Sequence, residues 1–447
     1  MSEIDGSLEE VAARTAPWPP PRFALRLPAM GGTPEPAARL GAGKPRRLSV
    51  GGIALTVHAD PMEVAAAWQA SQAEADCTVF QTAAWIANFH RHVGLRRKAR
   101  PAIVTGEDAD GALLFILPLA IDEGRVVRRL TWLGAELCDY CAPLLAPGFA
   151  GSMTDARLVQ LWRDAIDLLR AWRRFDVVDL PKMPETLGGR RNPLLALPAQ
   201  LHPSGAHLAE LGADWEIFHA AKRSSATRKR ERKKLRQLQE HGEVRFIEVR
   251  DPRDVEQTLA TLFAQKARWF AAMGIGNLFA RPGYRDFFEN VAADPGMRDI
   301  VHVTRLDVGS VTAAASLGLM FQSRYYLVLS SYQDGPLARY GPGRVHLHRL
   351  MECAIGRGMR QFDFTVGDEA YKREWSDCEI RLFDHLAAVT VLGWPAVALI
   401  ATYRRAKRAF KQNPRLFEAL GRARSLTRLW RRRTQGTAAG GEVSSGS

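Results

Sequence analysis

Twice along this chain the same order of patterns appears: helices, a run of short strands, one amphipathic helix and a short apolar strand. In the first pass Leu48–His58 reads as a strand. Pro61–Ala73 and Thr82–His92 have helical spacing, set by Val64, Ala67 and Trp68 and then by Trp85, Ile86 and Phe89. Strands follow at Ala102–Thr105, Leu113–Ile121, Arg129–Leu133 and Ala142–Leu145, then the helix Asp155–Arg173 and the strand Phe175–Leu180. The second pass has a strand at Ala206–Leu211, one long helix over Trp215–His241, a strand at Val244–Val249, and helices at Val255–Gly274 and Arg281–Ala293. It closes with strands Ile300–Leu306, Ser310–Met320 and Arg324–Ser331, the helix Val345–Arg357 and the strand Gln361–Thr365. Mixed helices and strands in this order predict an α/β fold. Its recurrence predicts an internal duplication.

The 447 residues exceed what one hydrophobic core serves, roughly 250–300. The expected division is a disordered Ala/Pro/Gly-rich leader at 1–46, a domain at 47–200, a second at 201–385, a basic amphipathic tail at 386–433 and a disordered Gly/Ser-rich end at 434–447. Five scattered cysteines exclude a disulfide framework and suit a reducing compartment. Cys138 and Cys141 have no second pair or histidine cluster beside them, so no metal is expected. No basic start followed by an apolar run opens the sequence, which predicts a cytoplasmic protein. The longest uncharged run, Leu386–Tyr403, is interrupted by Gly393 and Pro395 and reads as a strand ending and a helix starting.

The net charge of +14 is concentrated rather than spread. Arg223–Arg236 carries +7 and Arg404–Arg433 carries +11, leaving −4 for everything else. A nucleic-acid-coating surface distributes its charge, so nucleic acid other than tRNA is not an expected partner. In the first stretch Arg228, Lys229, Arg232 and Lys233 lie three or four apart, either as a solvated face or as a phosphate-facing one. The second alternates apolar residues with arginine. Such a helix can lie on the anionic inner face of the plasma membrane, or dock on the protein body and leave its charges in water.

Chemistry concentrates in Phe362–Trp375, where a short apolar strand carrying Asp363 runs into Gly367, Asp368, Glu369, Tyr371, Lys372 and Trp375. Ligands gather at the carboxyl ends of such strands. Asp363 or Glu369 is placed to take a proton, Tyr371 to return one, and Lys372 to stabilise developing negative charge. Upstream, Arg339, Tyr340, Gly341 and Gly343 precede a helix that begins near Arg344, an arrangement that aims backbone amides at a pyrophosphate. Asp139, Tyr140, Arg228, Lys229, Tyr332, Asp368 and Trp375 are the expected substrate contacts. His346 and His348, two residues apart, fall on different helix faces and read as packing or solvent histidines.

The string Tyr340-x-Pro342-Gly343, a helix, and Phe362-Asp363-Phe364-Thr365-x-Gly367-Asp368-Glu369-x-Tyr371-Lys372-x-x-Trp375 resembles the BioF-like acetyltransferase group of the GNAT superfamily. That group includes the CelD proteins linked to cellulose synthesis and is similar to the FemAB-type aminoacyl transferases. Phe80-Gln81-Thr82-x-x-Trp85, Asp139-Tyr140-Cys141-Ala142-Pro143, Lys266-x-x-Trp269 and Ser330-Ser331-Tyr332-x-Asp334 agree, so the likeness spans about 48–385. It implies two tandem GNAT-like folds with mixed central sheets flanked by helices, and acyl-CoA, with acetyl-CoA foremost, bound by the second. The phosphate loop would map to Arg339–Gly343. The signature Gln/Arg-x-x-Gly-x-Gly departs here, its first position falling on Ala338, which leaves a longer acyl-CoA or a charged tRNA open. The implied reaction is acyl transfer by direct attack of an amine or hydroxyl on a sugar, polysaccharide or cell-envelope precursor. Aminoacyl-tRNA-dependent transfer to a peptidoglycan precursor, or a non-catalytic role in cellulose or exopolysaccharide synthesis, are the alternatives.

Overall fold

The computed structural model describes residues 46–412 apart from Asp368. The leader up to residue 45, Asp368 and the tail beyond 412 lie outside the described residues.

The expected strand Leu48–His58 is a hairpin of β1 (Arg46–Val50) and β2 (Ile53–His58). Gly51 and Gly52 between them take φ of 56° and 81°, the left-handed pair that a tight hairpin turn requires. Helices α1 (Ala65–Ser71) and α2 (Ala83–Phe89) precede β3 (Ala99–Pro101) and β4 (Ile103–Glu107). The predicted strand Leu113–Ile121 is interrupted at Pro118, giving β5 (Leu113–Leu117) and β6 (Leu119–Glu123) in different sheets. Proline has no amide for a ladder, and its carbonyl instead accepts from the amide of Leu133 at 2.8 Å. Then come β7 (Arg128–Trp132), β8 (Leu144–Leu145), α3 (Phe149–Ser152), α4 (Asp155–Trp172), β9 (Val177–Pro184), the small hairpin β10 (Thr186–Leu187) and β11 (Arg190–Arg191), and β12 (Ala199–Leu201).

The second half opens with β13 (Ala206–Glu210). The long helix expected over Trp215–His241 is two, α5 (Trp215–Lys222) and α6 (Ser225–Gln239), because the Ser224 side chain caps α6 by accepting from the amide of Thr227. β14 (Val244–Val249), α7 (Pro252–Met273), α8 (Tyr284–Ala293), β15 (Val301–Val308), β16 (Val311–Phe321) and β17 (Arg324–Tyr332) follow. Next are α9 (Pro342–Gly356), β18 (Gln361–Val366), α10 (Ala370–Trp375), β19 (Cys378–Ile380), β20 (Leu382–Ala388) and α11 (Gly393–Gln412).

A five-stranded sheet β1-β2-β4-β5-β8 and a six-stranded sheet β12-β20-β9-β7-β6-β3 make up the first half. A seven-stranded sheet β14-β15-β16-β17-β18-β13-β19 makes up the second. The expected boundary at 385 falls inside β20, which returns from the second half and lies between β9 and β12 of the first. The halves also share core: Trp85 packs edge-on against Phe287 at 4.8 Å, and Phe80 against Tyr326 at 5.8 Å.

The duplication is legible in one pair of strands per half. β7 runs parallel to β9 with Arg129 opposite Val177; β17 runs parallel to β18 with Arg324 opposite Gln361. Two residues beyond each partner stands a buried aspartate, Asp179 or Asp363, and each pairs with that arginine, at 3.2 and 3.4 Å. The fold is α/β, in two halves that share this strand pair.

Candidate active site at the end of the parallel strand pair

β17 and β18 pair only over Arg324–Tyr326 and Gln361–Asp363. Past that point their carboxyl ends lead to the glycine loop and to α10 respectively, so both predicted segments lie at the end where the two strands open apart, with Arg344 of α9 3.9 Å from Glu374 of α10. Alternation along β18 sorts its side chains. Phe362 and Phe364 turn to the face covered by α9, where Tyr325 stacks on Phe362 at 4.9 Å. Asp363 turns to the first half.

That placement corrects three expected roles. Asp363 is fully buried and accepts from the Tyr140 hydroxyl at 2.8 and 2.9 Å and from the Thr365 amide at 2.8 Å, with Arg324 at 3.4 Å. Burial pushes its carboxyl above the usual range, against the pull of Arg324, Tyr140 and Thr365. With its oxygens committed, it is an anchor between the halves and no longer a candidate base. Tyr140, expected at the acceptor, is buried as the other side of that anchor, its hydroxyl pushed up by burial and then by Asp363. Trp375 is also wholly buried, near-parallel to Phe218 and under the Arg223 guanidinium at 4.4 Å, so it packs and does not touch substrate.

The remaining chemistry lies one step further along. The buried Lys372 ammonium donates to the Val366 carbonyl at 3.0 Å and pairs with the exposed Glu369 at 3.1 Å. Gly367 makes room for it: a β-carbon there would stand 2.6 Å from Nζ. Lys266, from α7, faces the same Glu369 and Lys372, and burial lowers its pKa, opposed by Glu369. Asp139 arrives from the first half, beside Thr365 and facing Lys182 and Lys372; burial raises its pKa, and the two lysines oppose this. Lys182 itself donates to the Cys138 carbonyl. Tyr371 is half-buried beside Ser330 at the end of β17, its hydroxyl pushed up by burial. Three lysines, two carboxylates and a phenol thus converge where the halves meet. Lys182, Lys266 and Thr365 were not among the expected site residues. Thr365 carries a visible sign of constraint, a φ of 59° that a β-branched residue rarely adopts.

On the other side of the opening, Gly341 takes φ 71° and Pro342 occupies the first turn of α9, which has no side-chain cap and no acid in that turn. The amides of Arg344 and Val345 return to the Gly341 carbonyl at 3.0 and 3.2 Å, so Gly343 is the amide left to meet an anion. Tyr332, half-exposed, lies 3.0 Å from where a β-carbon on Gly343 would stand. Arg339 is exposed with its guanidinium 4.8 Å over the Tyr340 ring. The Tyr340 hydroxyl meets His241, just past α6, at 3.0 Å, which sets the basic helix beside the loop. On α6 Lys229 is exposed and Arg228 is partly buried.

The lone acid of that helix, Glu231, is gripped by His219 at 3.0 Å, Arg223 at 3.6 Å, and His348 and Arg344 at 3.8 Å. His348 therefore packs, as does His346, which bonds Thr304 at 2.9 Å. His219, Glu231 and His348, and likewise Glu248, His302 and Cys353, have a spacing that suits a metal ion. In both groups an arginine already contacts the carboxylate and supplies the positive charge a cation would bring.

Residues 225–373 match the acetyltransferase (GNAT) domain. The comparison with curated proteins returns no match. Among solved structures, FemX superposes with a TM-score of 0.51 at 12% identity, over 77% of this chain and 98% of that one. The C-terminal domain of a putative lysylphosphatidylglycerol synthetase from Agrobacterium fabrum gives 0.45 at 12% identity, over 77% and 97%. A tandem GNAT protein from the clavulanic acid biosynthesis pathway gives 0.43 at 14%, over 76% and 99%. The likeness to FemX is one of fold. No helix among the described residues is long and apolar enough to cross a membrane.

Proposed function

We propose that this protein transfers an acyl group, acetyl foremost, from acyl-CoA to an amine or hydroxyl of a sugar, polysaccharide or cell-envelope precursor by direct attack. The observation that carries the reading is the common opening: the Gly341–Gly343 turn and Lys372 follow the carboxyl ends of two neighbouring parallel strands. Pyrophosphate would sit at Gly343 between Arg339 and Arg344, and the thioester would extend between the diverging strands. Lys372, assisted by Lys266, stabilises the oxyanion as the carbonyl becomes tetrahedral. The carboxylate that removes the nucleophile's proton is Asp139 or Glu369, replacing Asp363. Tyr371 returns a proton to the departing thiolate.

The pH profile of CoA release tests this assignment. A base with a raised carboxyl pKa gives a rate that climbs with pH through a point above the ordinary Asp range. A required Lys266 ammonium with a lowered pKa gives a rate that falls on the alkaline side, below the ordinary lysine range. Asp139→Asn removing the acid limb supports the base; an unaltered profile with normal turnover transfers the role to Glu369. Failure of any CoA thioester to raise the melting temperature would remove the reading altogether.

A second donor is favoured by the exposed cations of α6 beside the glycine loop, which suit a polyanion longer than CoA. Aminoacyl-tRNA is that donor, and its binding would weaken steeply with salt. Binding of CoA without tRNA decides for the first.

A further inference from the structure

The six-stranded sheet has one rim, where its central strands β7 and β9 begin, organised by Asp176. Its amide donates to the Arg128 carbonyl at 2.8 Å. Its carboxylate accepts from the Arg128 amide and from the Thr390 hydroxyl, each at 2.9 Å. Its own carbonyl takes the amide of Val389 at 2.8 Å. Three segments are thereby tied together: the β6–β7 loop, the start of β9 and the turn into α11. What they expose is apolar and cationic, Val126, Val391 (86% accessible), Leu392 and Trp394, with Arg125, Arg128 and Arg174 exposed among them.

α11 continues this surface. Arg404 turns inward, its guanidinium reaching Asp179 at 2.8 Å and Asp384 at 3.5 Å, while Arg405 and Lys407 are exposed. Its outward face carries Ala398, Leu399 (72% accessible), Thr402, Tyr403 (65%) and Ala406. Of fifteen large hydrophobics exposed among the described residues, five fall within 391–403, too dense for scattered surface residues. The sequence has no acid between Asp384 and Glu418, while Arg404, Arg405, Lys407, Arg408, Lys411 and Arg415 fall in that interval. Hydrocarbon flanked by an excess of cations complements one surface in particular, an anionic lipid headgroup layer.

We infer that the Asp176 rim and the outer face of α11 lie on an anionic membrane surface. Val391, Leu392, Trp394 and Leu399 enter the headgroup region, and Arg125, Arg128 and Arg405 meet lipid phosphates. β9 starts at this rim and reaches Lys182 five residues later, about 17 Å along the strand. The lysine seam is then within that distance of the lipid, close enough for an acceptor held at the bilayer surface. The membrane contact does not depend on the identity of the acyl donor, because none of its residues borders the glycine loop.

The test is sedimentation of the full chain with vesicles of phosphatidylcholine alone and of phosphatidylcholine with phosphatidylglycerol. Binding is expected only with the anionic lipid, and it should fall with added salt. The double variant Leu399→Glu, Tyr403→Glu should bind about tenfold more weakly with an unchanged melting temperature. Truncation after Gln412 should weaken binding and leave part of it. Three results would overturn the inference: the double variant sedimenting like the parent; truncation abolishing all binding, which assigns it to the tail; or light scattering finding a dimer that the double variant dissociates, with no vesicle binding, which assigns the face to a second copy of this chain.

Discussion

The two halves hold the same device and use it differently. In each, an arginine on one strand pairs with a buried aspartate on its parallel neighbour, at equivalent positions. In the first half that aspartate is sealed by Arg404 from α11, and the strand beyond it is occupied: the Lys182 amide donates to Asp384 of β20 at 2.9 Å. In the second half Tyr140 seals the aspartate, and the strand beyond it turns out at Gly367 into the lysine seam. The helices that precede the two final strands differ in the same sense. α4 is capped by Thr154, which accepts from Arg157, and carries Asp155 in its first turn, so its positive end is already satisfied. α9 has neither. One half fills the positions that the other leaves open.

The sharpest way to break this comparison is to remove the paired aspartates. Asp363→Ala should cost about 3–5 kcal/mol in denaturant unfolding, because it leaves Arg324 and the Tyr140 hydroxyl without their buried partner; Asp179→Ala should cost less, because Arg129 keeps Asp122 and Arg404 keeps Asp384. A folded Asp363→Asn protein of normal stability that has lost only turnover would return Asp363 to catalysis. Next in size, Lys372→Met should lower CoA release by about 10²–10³-fold with little change in stability. Equal rates would mean the opening of the second half is not where chemistry occurs.

A pH series reads the most strongly shifted buried histidines. Burial lowers His346 and His348, both in the second half, to about 3. A folded pKa below the unfolded value means the unfolded chain binds more protons, so stability is full above 6.5 and is lost as pH falls from 6.5 towards 3. The slope should approach about 1.4 kcal/mol per pH unit for each histidine. His346→Gln should flatten it; an unchanged slope would place the acid sensitivity elsewhere. The smallest effect sharpens the contrast between helix starts. Thr154→Ala should cost about 1 kcal/mol and leave CoA binding intact. Gly343→Ala, pressing on Tyr332, should do the reverse.

What was legible in the sequence was contiguous. The glycine turn, Glu369, Tyr371 and Lys372 sit within short segments whose composition suggests their chemistry, and both segments follow the carboxyl ends of the β17–β18 pair. The order of elements also read correctly, since it depends on local periodicity. The errors fell where the decisive contact is remote. Asp363 read as a base because a lone carboxylate in a strand gives no hint of a tyrosine 223 residues away. Lys182 and Lys266 meet Lys372 only through the packing of two halves, a relation no local pattern encodes. Two elements that differ from expectation carry local signals in the sequence: Gly51-Gly52 marks a hairpin, and Pro118 a break between sheets.

The return of β20 has a consequence for synthesis. Until residues 382–388 leave the ribosome, the six-stranded sheet lacks the strand between β9 and β12. Translation of the intervening stretch takes about 10–40 s. Throughout that interval β9 presents an open edge, the kind of surface on which another chain can pair. The first half to be made is therefore among the last to be finished.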